Sequence, residues 1–507
     1  MLKRSFLLLI RVPDHQVRVV STLGNVEPDD HQPAPRPFKA IPGPRGIYRW
    51  PSIGSILLFK PFSKYTIETM HKLMDKMCDR YGSIFKFNMG TQVVLVSDPQ
   101  DLETIFRNEG KYPCHPEMSL PEKYYISKRL KVPLTMLSGE EWHGMRTPVN
   151  GCLMKADSAT HDLEPQNAVA DDFVKILETR DLLNIDQADL FFRFASESIG
   201  LVAFNKRLGL LDDRPDQQSV IFHEAAKSVM DQVHRAVTAR SFYKKATYRE
   251  FERSNDIKIS IAVADIMKTK EIMERPKRDG ALTPDEANLL RPLASANTLT
   301  DSDVIVTMLT LYSAGVDATA KNLQVFFYNL AQNPDKQEVL RKEILEIIGD
   351  TGPLTSKALA QMTYLKACLK ESFRLHYPAF IGAFRTMPVD VILSGYKIPA
   401  GTNVLMLSSR PARLHFDDSD KYLPERWLRT SKEREEDEFS KSIVLPFGHG
   451  PRNCFGRRIA VQEVYLATAK VLQRLMIELE PETLDAQSKD QMFSAPDKPF
   501  KFKFRRL

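Results

Sequence analysis

The chain has 507 residues, 43% of them apolar and 27% charged, with 32 prolines and 22 glycines. That balance excludes a disordered, collagen-like or coiled-coil chain and leaves a globular protein with a large core. Lys plus Arg number 71 against 65 for Asp plus Glu, a formal charge of +6 that is too diffuse for a nucleic-acid footprint, so no nucleic-acid partner is expected. The cysteines, Cys78, Cys114, Cys152, Cys368 and Cys454, are odd in number and widely spaced. Their pattern excludes a disulfide scaffold or a zinc cluster and suits a reducing compartment.

The first 26 residues carry Lys3, Arg4, Arg11 and Arg18 with Asp14 as their one acid, the composition of a mitochondrial transit peptide. The apolar run Phe6–Ile10 is far short of the roughly 20 residues that span a bilayer. Two proline-rich stretches follow, Gln32–Pro37 and Ile41–Gly46, and they stop helix and sheet. Residues 1–38 are therefore expected to be a presequence and lead-in, and 39–507 a single domain. Beyond residue 60 the periodicity predicts helices over 64–81, 166–178, 187–205, 218–239, 250–274, 301–332, 334–348 and 458–475. Thr300 is the expected N-cap of the longest, and Asn333-Pro334 its end. Strands are expected at 84–88, 92–96, 389–393 and 403–407, with turns at Ser394-Gly395 and Pro399–Gly401 between the last two. The fold class is thus mainly α with a small β region. The charged run Lys432–Glu438 reads as a solvated loop.

The most informative segment is Leu445-Pro-Phe-Gly-His-Gly-Pro-Arg-Asn-Cys-Phe-Gly-Arg-Arg-Ile459. Gly448, Gly450 and Gly456 permit a tight loop whose backbone approaches a planar ligand. Such a loop can aim N–H groups at the Cys454 sulfur, and the positive end of the following helix adds to them, so both stabilise a thiolate. The pattern Phe447-x-x-Gly450-x-Arg452-x-Cys454-x-Gly456 resembles the haem-ligand signature of the cytochrome P-450 monooxygenases, and the resemblance runs from about residue 39 almost to the end. It implies the cytochrome P-450 fold, with haem b as cofactor, Cys454 as the axial ligand of its iron, and no bound flavin or NAD(P).

Other landmarks follow in the family's order. Glu371-Ser-Phe-Arg374 resembles its ExxR motif, two residues on one helix face, and Arg426 of Pro424–Trp427 would complete a structural triad. Trp142-His-Gly-Met-Arg146 resembles its WxxxR. With Arg385 and Arg452, Trp142 and Arg146 are expected to hold the haem propionates, carboxylates that arginine's fork suits. Ala314-Gly-Val-Asp-Ala-Thr319 resembles the oxygen-binding segment, in which Gly315 would open a groove over the iron at a cost of about 1 kcal/mol against alanine. An acid followed by a hydroxyl normally carries protons there. Here Asp317 is followed by Ala318, and the hydroxyl comes at Thr319, turned by about 100°.

Lys366 and Lys370, four apart on the ExxR helix, resemble the lysines with which mitochondrial members dock an acidic ferredoxin, and Arg457 and Arg458 would extend that basic surface. The resemblance therefore implies an adrenodoxin-like mitochondrial ferredoxin and its NADPH-dependent reductase as partners. It implies a place on the matrix side of the mitochondrion, peripheral to the inner membrane, where Arg240–Phe251 could rest. The expected reaction is hydroxylation of an apolar small molecule. A sterol or steroid is the first candidate, including precursors of ecdysteroid type, and oxidation of foreign compounds is the runner-up. The break at Ala318 leaves open a haem-binding sensor without turnover.

Overall fold

The computed structural model describes residues 34–506 apart from 51–53, 55, 89–90, 117–118, 156, 239–244, 275–292, 294–297, 380–381, 429–442, 485, 487 and 490–492. Residues 1–33 of the expected presequence, the run Lys432–Glu438 and Arg240–Lys244 lie outside the described residues. Arg36–Leu507 folds as one unit. Its helices are α1 (Met70–Tyr81), α2 (Pro99–Asn108), α3 (Ser119–Ser127), α4 (Gly139–Leu153), α5 (Leu163–Thr179), α6 (Gln187–Phe204), α7 (Gln217–Thr238) and α8 (Lys245–Glu274). After them come α9 (Asp301–Gln332), α10 (Pro334–Ile348), α11 (Ser356–Gln361), α12 (Thr363–Leu375), α13 (Ser409–Leu414) and α14 (Arg457–Arg474).

The strands are short. β1 (Ile84–Asn88), β2 (Gln92–Val96), β3 (Phe384–Thr386) and β6 (Asn403–Met406) form one sheet in the order β1-β2-β6-β3, parallel at β2/β6, where Val94 faces Val404, and antiparallel elsewhere. The strand expected at 389–393 is only β4 (Val391–Leu393), because the Asp390 carboxylate accepts the Ala400 N–H at 2.9 Å and turns the chain before it. Ser394-Gly395 closes a two-residue hairpin onto β5 (Tyr396–Ile398), a strand the sequence reading did not include. Both turn residues have positive φ, as that hairpin requires. Asp101 accepts the Ser394 N–H at 2.8 Å and holds the less usual serine there.

The helix expected from residue 64 starts at Met70, after a 3₁₀ turn at Ile67–Thr69, and the one expected from 250 starts at Lys245. α9 has its expected bounds. Thr300 Oγ1 accepts the Asp303 N–H at 3.3 Å, and the Asp303 carboxylate accepts the Thr300 N–H at 2.9 Å, a reciprocal cap that satisfies two donors at the helix start. α9 also crosses both main apolar clusters. Val304 to Val316 packs with Val202, Phe204, Phe222 and Val229, whereas Ala320 to Leu330 packs with Phe173, Phe191, Phe194 and Leu466. Asp317, Ala318 and Thr319 fall at the seam between the two.

Thr300→Ala removes the side-chain half of the cap and should lower stability by about 1 kcal/mol. Thermal unfolding of the variant beside the parent protein checks this, and an unchanged midpoint would show that packing alone fixes the start of α9.

Candidate active site around Cys454

The loop before α14 is built on its backbone. The Cys454 N–H donates to the Phe447 carbonyl at 2.8 Å, and Gly448 and Gly450 sit at φ of 70° and 73°, the left-handed region that glycine tolerates. A Cβ at Gly450 would collide with the Glu109 carboxylate. The Phe447 ring meets Phe373 edge-on at 5.6 Å. Burial pushes the Cys454 thiol up. The Gly456 and Arg457 N–H groups and the charges of Arg146 and Arg457 pull the other way, so the loop favours a thiolate once a cation stands before the sulfur.

Cys454 opens onto a cavity of about 440 Å³. Ala314, Gly315, Ala318 and Thr319 of α9 form part of its wall, with Trp142, Arg146, Arg385, Phe447 and Arg452. Gly315 has a second reason to be glycine: a Cβ there would come within 2.9 Å of Ile199, so its absence lets α6 and α9 touch. Asp317 is not among the wall residues. It is buried in an ion pair with Lys321 at 2.7 Å, so the acid expected beside the missing hydroxyl is neutralised on another face. Thr319 donates to Glu463 of α14 at 2.8 Å. Glu463 also lines the cavity, and burial pushes its carboxyl up to about 8.

The arginines gather on one side. Arg146 donates to the Asn453 carbonyl at 2.7 Å, pinning the loop beside the cysteine. Arg385 on β3 is ion-paired with the buried Glu109. Arg452 donates to the Leu137 carbonyl and stands 4.8 Å over the Trp142 ring, while its buried Nε has no partner among the described residues. Burial, then the charge of Arg385, lowers the Arg452 pKa to about 10. One acid among these guanidiniums leaves an excess of buried positive charge suited to carboxylates.

Behind the cavity wall, α12 carries the fully buried pair Glu371–Arg374 at 2.9 Å. The Glu371 carboxylate also accepts Arg426 Nε at 3.1 Å, the Leu423 N–H at 2.9 Å and the Trp427 indole N–H at 2.8 Å. Arg374 donates onward to the Ser419 and Lys421 carbonyls. The structure thus brings together the three expected residues and adds Trp427. Of the basic candidates, Lys366 donates to the Ala360 carbonyl at 2.6 Å, Lys370 lies 3.9 Å over the Trp427 ring, Arg457 is exposed and Arg458 donates to the Met154 carbonyl at 3.1 Å. Sequence reasoning missed Glu109, Glu463 and Trp427. An acid on the apolar helix after the cysteine was the available signal for Glu463.

The sequence model of the family described as Cytochrome P450 matches residues 44–504. Among curated relatives, "Probable cytochrome P450 12e1, mitochondrial" of Drosophila melanogaster is 31% identical over 495 residues, covering 92% of each chain. "Cytochrome P450 CYP12A2" of Musca domestica is 31% identical and covers 88% of each. "Probable cytochrome P450 CYP44" of Caenorhabditis elegans is 32% identical over 86% of this chain and 88% of its own. The family's haem b fits the residues present. Its ring has an apolar cavity against the sulfur, and its two carboxylates have the surplus guanidiniums and the unpartnered Arg452 Nε.

Removing Glu371 leaves Arg374 charged and unpaired in the interior, so Glu371→Ala should cost about 3–5 kcal/mol. Trp427→Phe removes one neutral donor and should cost about 1–2 kcal/mol. Thermal unfolding ranks the two, and equal losses would contradict a carboxylate-centred network.

Proposed function

Because the chain belongs to the cytochrome P450 family of haem-thiolate monooxygenases, we propose that it is a mitochondrial, ferredoxin-dependent hydroxylase of an apolar substrate of sterol or steroid type. The observation that carries this reading is the cavity at Cys454, where Ile199, Leu311, Leu369 and Phe373 turn apolar surface inward. Burying a charged substrate group against such walls is costly. Haem b supplies the iron at which oxygen is bound and reduced.

The chain's residues do the rest. Cys454 would hold the iron as a thiolate, and the Gly456 and Arg457 N–H groups stabilise its charge. Arg385, Arg452 and Arg146, with the Trp142 indole, orient the propionates. Gly315, Ala314 and Ala318 keep the α9 wall low, so that oxygen and substrate meet there. Lys366 and Lys370, with Arg457 and Arg458, receive an acidic ferredoxin reduced by its NADPH-dependent reductase. Lys370 packs on Trp427, which donates to Glu371, so the buried triad steadies this basic face. The mitochondrial name of the first relative quoted, shared by other relatives, and the basic, acid-poor N-terminus support a mitochondrial site. Peripheral contact with the inner membrane on the matrix side completes the reading; no helix of the described residues is long and apolar enough to cross a membrane.

Optical titration of the ferric protein with sterols, steroids and foreign apolar compounds tests the substrate class. A saturable low-to-high-spin shift with one steroid class is the expected result. Shifts with foreign compounds and none with steroids would turn the reading to detoxification.

Charge reversal tests the docking face. Lys366→Glu with Lys370→Glu should raise the ferredoxin KM about tenfold at low salt with little change in kcat, and the effect should shrink as salt screens the surface. An unchanged KM would remove these lysines from the interface.

A further inference from the structure

We propose that Asn255 and Lys258 of α8, with Ser313 of α9, form a buried site for one small monovalent anion of halide type. None of the three is among the residues that line the Cys454 cavity. α8 packs on its neighbours through one stripe of buried residues: Phe251, Asn255, Lys258, Ala262 and Ile266. Spacings of three and four put them on one face of the helix. Phe251, Ala262 and Ile266 belong to the apolar cluster that holds Val229 of α7 and Val316 of α9. At two successive turns of a core-facing stripe, then, an amide and an amine stand where apolar side chains belong. Asn255 is 0% exposed, and neither its Oδ1 nor its Nδ2 has a partner among the described residues. Lys258 is 3% exposed and donates to Ser313 Oγ at 3.2 Å.

Such groups are costly to bury unless something binds them, and charge decides what that is. The acids of the neighbouring helices are engaged elsewhere. On α6, Asp189 pairs with Arg193 and Lys227, and Glu197 with Arg207. On α7, Asp231 pairs with Arg235, and Glu224 with Lys227. On α8, Glu252 and Asp256 pair with Lys128, Asp265 pairs with Lys206, and Glu250 accepts from Ser254. Asp317 of α9 pairs with Lys321. Of the titratable rings, His223 of α7 faces Ser196 and Asp189, His234 feels the charge of Lys321, and Tyr312 of α9 stacks on Phe222.

Burial alone moves Lys258, bringing its pKa down to about 7, with no acid's charge to oppose it. Water could complete the hydrogen bonds but would leave the charge unbalanced. A monovalent anion does both: it accepts from the ammonium and from the Asn255 amide, and it neutralises the one cation. Without it, the folded chain holds the Lys258 proton less tightly than the unfolded chain, where lysine titrates at about 10. Stability then rises with pH between about 7 and about 10. An anion beside the ammonium raises the folded pKa, so it stabilises most at low pH.

The test follows thermal unfolding of the haem-loaded full chain and of Lys258→Met, in chloride and in the bulkier gluconate at equal ionic strength. For the parent, chloride should raise the midpoint by about 1–3 °C over gluconate at about pH 6.5, and by less at about pH 9. Lys258→Met suits the apolar stripe and should show neither the difference nor its pH dependence. General salt effects act on both proteins and cancel. Asn255→Leu should weaken the chloride effect, and it decides the matter if Lys258→Met takes up haem poorly. Bromide, located by anomalous scattering in crystals of the parent, should lie between Lys258 and Asn255. Equal chloride effects in parent and variants, or no bromide at Lys258, overturn the proposal. Bromide in the crystal without a chloride effect in solution marks an adventitious ion only, and overturns it as well.

Discussion

A thiolate inside an apolar fold is costly unless something positive faces it, and much of this structure answers that constraint. The loop from Phe447 to Cys454 turns twice through left-handed glycines, which brings the sulfur under the Gly456 and Arg457 N–H groups at the head of α14. Arg146 reaches across from α4 to bind Asn453 beside it. These contributions do not outweigh burial by themselves. The site is completed by a metal ion at the sulfur, and haem b with its flat ring and two carboxylates is the group that the cavity and the surplus arginines fit.

The Glu371 network has a similar logic. A carboxylate buried with a single partner would be a weak element, because desolvation rivals the Coulomb gain. Here two arginines, an indole N–H and a backbone N–H converge on it, and Arg374 ties the cluster to carbonyls of the chain that follows α13. That cluster fixes α12 against Pro424–Trp427. It sets Phe373 beside Phe447 on one side and Lys370 over Trp427 on the other. One buried anion thus links the wall of the cavity to the basic face proposed for electron entry.

Much of this was legible in the sequence where local chemistry leaves one answer. Thr300 with Asp303 and Asn333-Pro334 bound α9 without tertiary information, and the glycine-rich loop before an apolar helix pointed to Cys454. Legibility ended where side chains choose between partners. Asp317 has Lys321 one turn away and an adjacent cavity, and only the packing of α9 at the seam of two apolar clusters shows which it faces. Gly315 read as a groove over the iron, while the close approach of Ile199 is visible only once α6 is in place. α4 was missed as a complete helix because Pro148 interrupts its pattern. α2 was missed although Asp98 caps it and Pro99 opens it, a signal the sequence does carry. Glu463 was hidden for a further reason: a carboxyl becomes neutral through burial, and burial is a property of the fold.

The central claim is that Cys454, as a thiolate, holds the haem iron. It is tested most directly by the absorption spectrum of the reduced, carbon-monoxide-bound protein, recorded for the parent chain and for Cys454→Ala. The account predicts the strongly red-shifted Soret band of a thiolate–haem–CO complex in the parent and its complete loss in the variant. The same band in both proteins, or an imidazole-type band in the parent, would contradict it.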